Sequence, residues 1–453
     1  MRKVFIFLGI FFFLPAGSSQ TMASDVLTLK ESINIALERS LAVLSADEEI
    51  KAKEFEERSA KADFYPKLST SYTYTYMDKD TVDDAKSTMW VWNPLTLAHV
   101  PREVSPLRTD NYQFSITATQ PLFTGWRLSM SRDLASLGVD TAKIQKVSTI
   151  QDLVFEVKAA YFAILKTDKL QNVARQAVEQ LEGHLAVAQA FYDEGIIAKN
   201  ELLQTEVQMA QARQDLISAT HGVLLAKSLF NKLLRRRLTK PVSIKDILDY
   251  TPVRLRLDEA VEKAVLNRSE IQEVSLNVVA AEKGVKLTRS SYYPSVTFIG
   301  NYSRDTDELF LSAVTGEDPD IWTLTLQADW TLWEWGKRRD EVAAARARLA
   351  KARNLLIEIK DNISLEVQEA YLSLKEAERN IQVSKKAVVQ AEENYRMNEE
   401  RYKQQVATST DVLDAQTLLT QARANHFNAL SDYNIAWARL ERAMGIGYET
   451  EGK

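Results

Sequence analysis

Leu27-Thr28-Leu29-Lys30-Glu31 returns as Leu255-Arg256-Leu257-Asp258-Glu259, an offset of 255 − 27 = 228, and Tyr65-Pro66 returns at the same offset as Tyr293-Pro294. Farther along, the offset becomes 210. Leu122-Phe123 answers to Leu332-Trp333, Ala160-Tyr161 to Ala370-Tyr371, Tyr192 to Tyr402, and Gln211-Ala212-Arg213 to Gln421-Ala422-Arg423. A run of matches at constant spacing marks an internal repeat and sets the architecture before any local reading. The chain is two copies of one unit. The first copy is the longer between Tyr65 and Leu122, by 228 − 210 = 18.

Each copy opens with a helical stretch, over 28–63 and 258–291. Each stretch stops before Pro66 or Pro294, because proline bars helix continuation and drives its predecessor to extended geometry. The apolar period then switches to two. Leu68, Thr70, Tyr72, Tyr74 and Tyr76 alternate with serines and threonines, and Tyr112, Phe114, Ile116 and Ala118 alternate with Gln113, Ser115, Thr117 and Thr119. In the second copy Val296, Phe298, Gly300 and Tyr302 share a face, and Trp322, Leu324, Leu326, Ala328, Trp330 and Leu332 alternate with Thr323, Thr325, Gln327, Asp329 and Thr331. The expected strands are 66–77, 112–122, 294–303 and 322–332. Strands of roughly ten residues span a membrane when tilted, and aromatic residues at their ends suit its interfaces. The same alternation also fits a soluble sheet with one buried face. Four strands cannot close a barrel and lipid does not tolerate open edges, so membrane strands would be pooled between chains; three chains give twelve. The joining loops, 78–111 and 304–321, are acidic and read as solvated.

After each strand pair comes a tract of helical composition, 126–193 and 336–403, long enough to reach roughly 100 Å at about 1.5 Å per residue. Apolar residues recur at three and four, as at Ile150, Leu153, Val154, Val157, Tyr161 and Ile164. Short breaks at Glu194-Gly195 and Gln404-Gln405-Val406 precede returning helices over 199–235 and 409–444. The predicted organisation is a first repeat over 24–235 with its helical hairpin over 126–235, a connecting segment over 236–257, a second repeat over 258–444 with its hairpin over 336–444, and a tail over 445–453. The fold class is mainly α with a pair of β-hairpins.

Residues 1–23 read as a secretory signal peptide: Arg2 and Lys3, an apolar run from Val4 to Leu14, then small residues with cut sites near Ser18 or Ala23. That run is too short for a membrane helix, and no later apolar run approaches the length a membrane helix needs. With no cysteine, the exported chain has neither disulfides nor a site for an N-terminal lipid. The formal charge is −5, which disfavours nucleic acid. His99, His184, His221 and His426 stand singly, without metal-ligand spacing, and read as surface or packing residues. No nucleophile or phosphate loop emerges, so no enzyme, cofactor or metal site is expected.

The Tyr-Pro strand entries, the Pro121-Leu122-Phe123-Thr124-Gly125 strand exit and the duplicated helical turn carry a resemblance over the whole mature length. That turn reads Tyr402 … Thr408-Ser409-Thr410-Asp411-Val412-Leu413-Asp414-Ala415-Gln416 in one copy. In the other it reads Tyr192 … Gly195-Ile196-Ile197-Ala198-Lys199-Asn200-Glu201-Leu202-Leu203. The chain resembles the TolC-type outer-membrane factors. The resemblance implies a homotrimer in the cell outer membrane, with a twelve-strand β-barrel continuous with a twelve-helix periplasmic α-barrel. It also implies an exit duct for efflux or type I secretion, whose tapered end engages a periplasmic adaptor and an inner-membrane pump. By position it makes Asp411 and Asp414 the aperture carboxylates, Glu201 an acidic residue of the first tip, and Tyr402 a member of the closing network. The family's best-known member has arginine at the place of Ala407 and glycine at that of Gln405. A ring of carboxylates would gather cations, repel anions and raise some of its own proton affinities by crowding. Asp411 and Asp414 equally suit a helix start, where negative charge meets the helix dipole. The rival readings are a periplasmic adaptor, which carries one long hairpin rather than two, and a structural coiled-coil stalk of the envelope, which lacks the helix-to-strand switches.

Overall fold

A computed structural model describes residues 26–104, 107–306, 309 and 320–446; the signal segment, the end of the tail and most of the 304–321 loop lie outside them. The first copy runs α1 Leu29–Arg39, α2 Leu41–Ala62, β1 Lys67–Tyr76, α3 Lys79–Asp84, β2 Ser87–Asn93, β3 Ala98–Val104, β4 Asp110–Phe123, α4 Arg127–Asp193 and α5 Lys199–Leu233. The second runs α6 Leu257–Asn267, α7 Ser269–Arg289, a 3-10 turn, β5 Ser295–Thr306, β6 Ile321–Asp329, α8 Lys337–Lys403 and α9 Ser409–Ala443. The duplication is quantitative: α4 and α8 each have 67 residues, and α5 and α9 each have 35.

The opening helices differ from the sequence expectation. Each is two helices, broken at Ser40 (φ −63°, ψ 124°) and Arg268 (φ −65°, ψ 124°), positions that correspond at the 228 offset. The breaking residue keeps its helical bond, Ser40 N–H to Ala36 O at 2.8 Å and Arg268 N–H to Ala264 O at 2.9 Å. The apolar period therefore reads straight through the bend. A second difference is β6, which stops at Asp329 instead of reaching position 332. Its partner β5 begins at Ser295 opposite Asp329, and the residue before it is Pro294, which has no N–H to extend the ladder. The 78–111 loop is also more than a polar connector, since it folds as α3 and the β2–β3 ribbon.

The chain divides into two compact units. One comprises Met1–Ser40, Val154–Pro252 and Lys375–Ala438; the other comprises Leu41–Leu153, Val253–Leu374 and Arg439–Lys453. The second unit holds an antiparallel sheet in the order β1-β4-β5-β6. Its register sorts the side chains into two faces. Thr70, Ile116, Tyr302 and Trp322 form one row, and Leu68, Ala118, Gly300 and Leu324 the next on the same face. The opposite face carries the row Ser69, Thr117, Asn301 and Thr323, where the Asn301 amide donates to Thr117 Oγ1 at 2.9 Å. The outer strands β1 and β6 are exposed along their whole length, and each leaves one edge open.

Candidate functional site

The first unit contains the turns α4–α5 and α8–α9, where the predicted entrance residues fall. Both turns close in the same way. Gly195 (φ +75°) donates to Tyr192 O at 2.9 Å and Ile196 N–H to Phe191 O at 2.8 Å; Gln405 (φ +61°) donates to Tyr402 O at 2.8 Å and Val406 N–H to Arg401 O at 2.9 Å. This is a Schellman closure, whose left-handed residue is favourable for glycine and costs other residues about 1 kcal/mol.

Asp411 is exposed and locks the start of α9. Its Oδ2 accepts from the Thr408 backbone N–H and from the Thr408 hydroxyl, both at 2.8 Å, while Asp411 N–H donates to Thr408 Oγ1 at 3.3 Å. The reciprocal pair satisfies two backbone donors that a helix N-terminus otherwise leaves bare. The Thr408 backbone bond first, and then its hydroxyl, hold the Asp411 carboxyl below the usual range. Within one chain the carboxylate is thus stabilised in its charged form. Asp414 is exposed one turn on, and Glu201 is half-buried in the first turn of α5. Glu201 is the counterpart of Asp411 at the 210 offset, but its preceding cap position is Ala198, which makes no side-chain cap bond and cannot complete the box.

Tyr402 is buried within the packing of the turns. It is 2 % exposed and packs with Tyr395, Val412, Ala415 and Leu419. Burial, followed by the Glu201 carboxylate, pushes its phenol up, against a weaker opposing pull from Ser409. The buried hydroxyl lies near Ser409 but makes no well-formed hydrogen bond among the described residues. Ser409 Oγ is bonded instead to His184 Nε2 and to Thr205 Oγ1, each at 2.9 Å.

That engagement is a chain with a defined direction. Thr205 Oγ1 donates its only proton to Glu201 O at 3.0 Å. Ser409 must then donate to Thr205, and His184 must donate from Nε2 to Ser409, since each hydroxyl has a single proton. Thr205 and Ser409 are fully buried and His184 is 4 % exposed. The His184 ring lies 4.7 Å from that of Tyr402, and burial pushes its pKa down to about 4 against a weaker opposing pull from Glu399. His184 on α4, Thr205 on α5, Tyr402 on α8 and Ser409 on α9 thereby join all four helices near their turns.

His184, Thr205 and Ser409 do not stand out in the sequence as a set. The available signal is that each polar residue sits on its helix's apolar stripe: Leu181, His184, Ala188; Leu202, Thr205, Met209; Ser409, Val412, Leu413. The connecting segment gives no such signal. It runs irregularly across the same helices, with Tyr161 donating to Lys245 O at 2.7 Å, Asn231 to Lys240 O at 2.8 Å, Tyr433 to Thr251 O at 2.7 Å, and Tyr250 to Glu378 at 2.6 Å. Among the described residues, no group of His, Asp and Glu could hold a metal ion and no helix is long and apolar enough to cross a membrane.

Outer membrane protein TolC of Vibrio cholerae is 23% identical over 352 residues, covering 75% of this chain and 78% of that one. The probable efflux pump outer membrane protein SepC of Pseudomonas putida is 21% identical over 375 residues, covering 78% and 74%. Among solved structures, CusC superposes with a TM-score of 0.76 at 16% identity, over 92% of both chains. The outer membrane protein VceC of Vibrio cholerae superposes at 0.74 and 18% identity, over 93% of this chain and 97% of that one. The sequence profile of the outer membrane efflux protein family matches residues 32–228 and 260–446, one segment in each repeat, and the chain belongs to that family.

Proposed function

We propose that this outer-membrane efflux channel works as a homotrimer, in which β1 of each copy pairs with β6 of the next to close a twelve-strand barrel. The observation that carries the reading is the two-faced sheet with both edges open: one face suits lipid, the other suits water, and neither edge is tolerable in a bilayer unless paired. The apolar face then meets outer-membrane lipid and the polar face lines the duct. The helical hairpins extend into the periplasm, where their turns gather at an entrance engaged by a periplasmic adaptor and an inner-membrane pump. Asp411 and Asp414 of three copies supply six carboxylates to that entrance, with Glu201 beside them. Tyr402 acts from inside, by holding the packing of the turn rather than by touching cargo. The duct is passive, so substrate choice rests with the pump.

Single-channel conductance in a planar bilayer tests this. Asp411 also caps α9, so alanine would confuse charge with folding; Asp411→Asn with Asp414→Asn removes charge and keeps an acceptor at the cap. The wild type should show a small cation-selective conductance, and the double variant should lose selectivity at unchanged trimer mass. Unchanged selectivity would move the constriction away from these residues. A water-soluble protein that never inserts would end the duct reading.

A further inference from the structure

The β2–β3 ribbon has no use in a passive duct described so far. From Ser87 to Pro101 there is no Asp, Glu, Lys or Arg, in a chain that is 26% charged. Trp90 pairs with Pro101 and Trp92 with His99 on one face, while Val91 pairs with Val100 on the other. Trp92 is braced edge-on by His99 at 5.2 Å. Trp90 is 64% exposed and Leu95, in the connecting turn, 94%. Leu97 in the same turn is exposed and holds φ +52°, a backbone region that a bulky side chain rarely adopts. A two-stranded ribbon alone is marginal in water, and an apolar patch of this kind marks a contact surface.

We propose that the ribbon packs against the same ribbon of the neighbouring copies, forming a cap over the outer mouth of the duct. This rests on the trimeric reading above. Two features select a second copy over lipid. The ribbon follows β1, the open-edged strand that would lie at the seam between copies, so contact begins where the chains already meet. The segment joining it to β1 carries Asp78, Asp80, Asp83 and Asp84 against Lys79 and Lys86, an acidic excess that an anionic lipid surface would repel. The apolar stretch itself has no lysine or arginine to bind phosphate, and Arg102 just beyond it is matched by Glu103. An uncharged aromatic ribbon has a suitable partner in its own copy: aromatic faces stack and backbone edges pair.

The absence of cysteine makes the test clean. Leu95→Cys is introduced alone, and the purified protein is treated with a short bis-maleimide; Lys79→Cys, in α3 before the ribbon, is the control. Native mass spectrometry reads the assembly independently. The cap is supported by a trimer in which the Leu95→Cys protein cross-links well above the Lys79→Cys protein, and in which adding Trp90→Ser and Trp92→Ser abolishes the cross-link and raises single-channel conductance. A trimer with no cross-link above the control overturns the cap and leaves the duct standing. A particle that is not trimeric overturns both.

Discussion

Acidification should loosen the helical turns through one residue, His184. In the folded chain its ring is buried against Tyr402, donates from Nε2 to Ser409, and has a pKa pushed down to about 4 from an ordinary 6.5. A second proton would go on Nδ1, since Nε2 already carries one. The direction follows from linkage. The folded state resists the proton and the opened state accepts it, so stability is unaffected above the opened-state pKa and is lost as pH falls from about 6.5 toward about 4. One pH unit is worth about 1.4 kcal/mol, so the loss approaches about 3 kcal/mol per chain across that window. The assay is thermal unfolding of the detergent-solubilised protein, followed by circular dichroism, for wild type and His184→Gln between about pH 7.5 and pH 4.5. Carboxylates titrate alike in both proteins and cancel in the difference. The wild type should lose stability relative to the variant only below about pH 6.5. Parallel curves across the window would refute the reasoning, because they would mean that the proton enters without opening the packing.

Gln405→Gly should stabilise the α8–α9 turn by about 1 kcal/mol by relieving the left-handed backbone, and Gly195→Ala should destabilise the α4–α5 turn by a similar amount, both read as shifts in thermal midpoint. Arg268 is buried at the α6–α7 break, bonded to Glu270 at 2.9 Å and Glu366 at 2.8 Å, and its guanidinium also reaches the carbonyls of Arg442 and Ala443. Arg268→Ala should cost about 3 kcal/mol by leaving the partly buried Glu270 carboxylate without its cation and Glu366 held by Arg442 alone, and Arg268→Lys should recover little, since an ammonium cannot make the forked contact; unchanged melting of either variant would contradict this.

The repeat made most of the fold legible, because period and proline position are local signals and the constant offset shows by matching the chain against itself. The strands could be read because Tyr, Thr and Trp alternate over whole spans. The one-residue breaks at Ser40 and Arg268 could not, because they keep the helical bond on one side and leave the apolar period intact. The end of β6 depended on Pro294, just before the partner strand β5, and the ribbon was hidden by the acids and prolines around it. At the turns, Asp411 was visible as a carboxylate at a helix start, and the structure gives it that role. Its exposure leaves the aperture role to the conductance test, since a cap and a ring carboxylate can be one residue. The burial of Tyr402 was not read from the sequence, although Tyr395, two turns before it, is buried on the same side of α8.

A comparison of the two copies separates scaffold from chemistry. Four non-glycine residues in helix-flanking turns have left-handed backbones, and each has glycine as its counterpart at the 210 offset: Trp126 and Gly336, Trp335 and Gly125, Arg235 and Gly445, Gln405 and Gly195. The backbone is thus fixed by the duplicated fold while the side chain drifts, even at a cost of about 1 kcal/mol. The groups that join the turns behave in the opposite way. His184, Thr205 and Ser409 correspond to Asn394, Ala415 and Lys199, and the Thr408–Asp411 box corresponds to Ala198 and Glu201, so the same clasp and cap cannot form at the mirrored positions. An unduplicated clasp between duplicated hairpins has one consequence. Near the turns, α4 and α5 are tied to α9 through Ser409, whereas α8 contributes the packed ring of Tyr402. Among the described residues the Tyr402 hydroxyl has no bond to lose, so at that residue movement of the α8 end is opposed by ring packing rather than by a hydrogen bond.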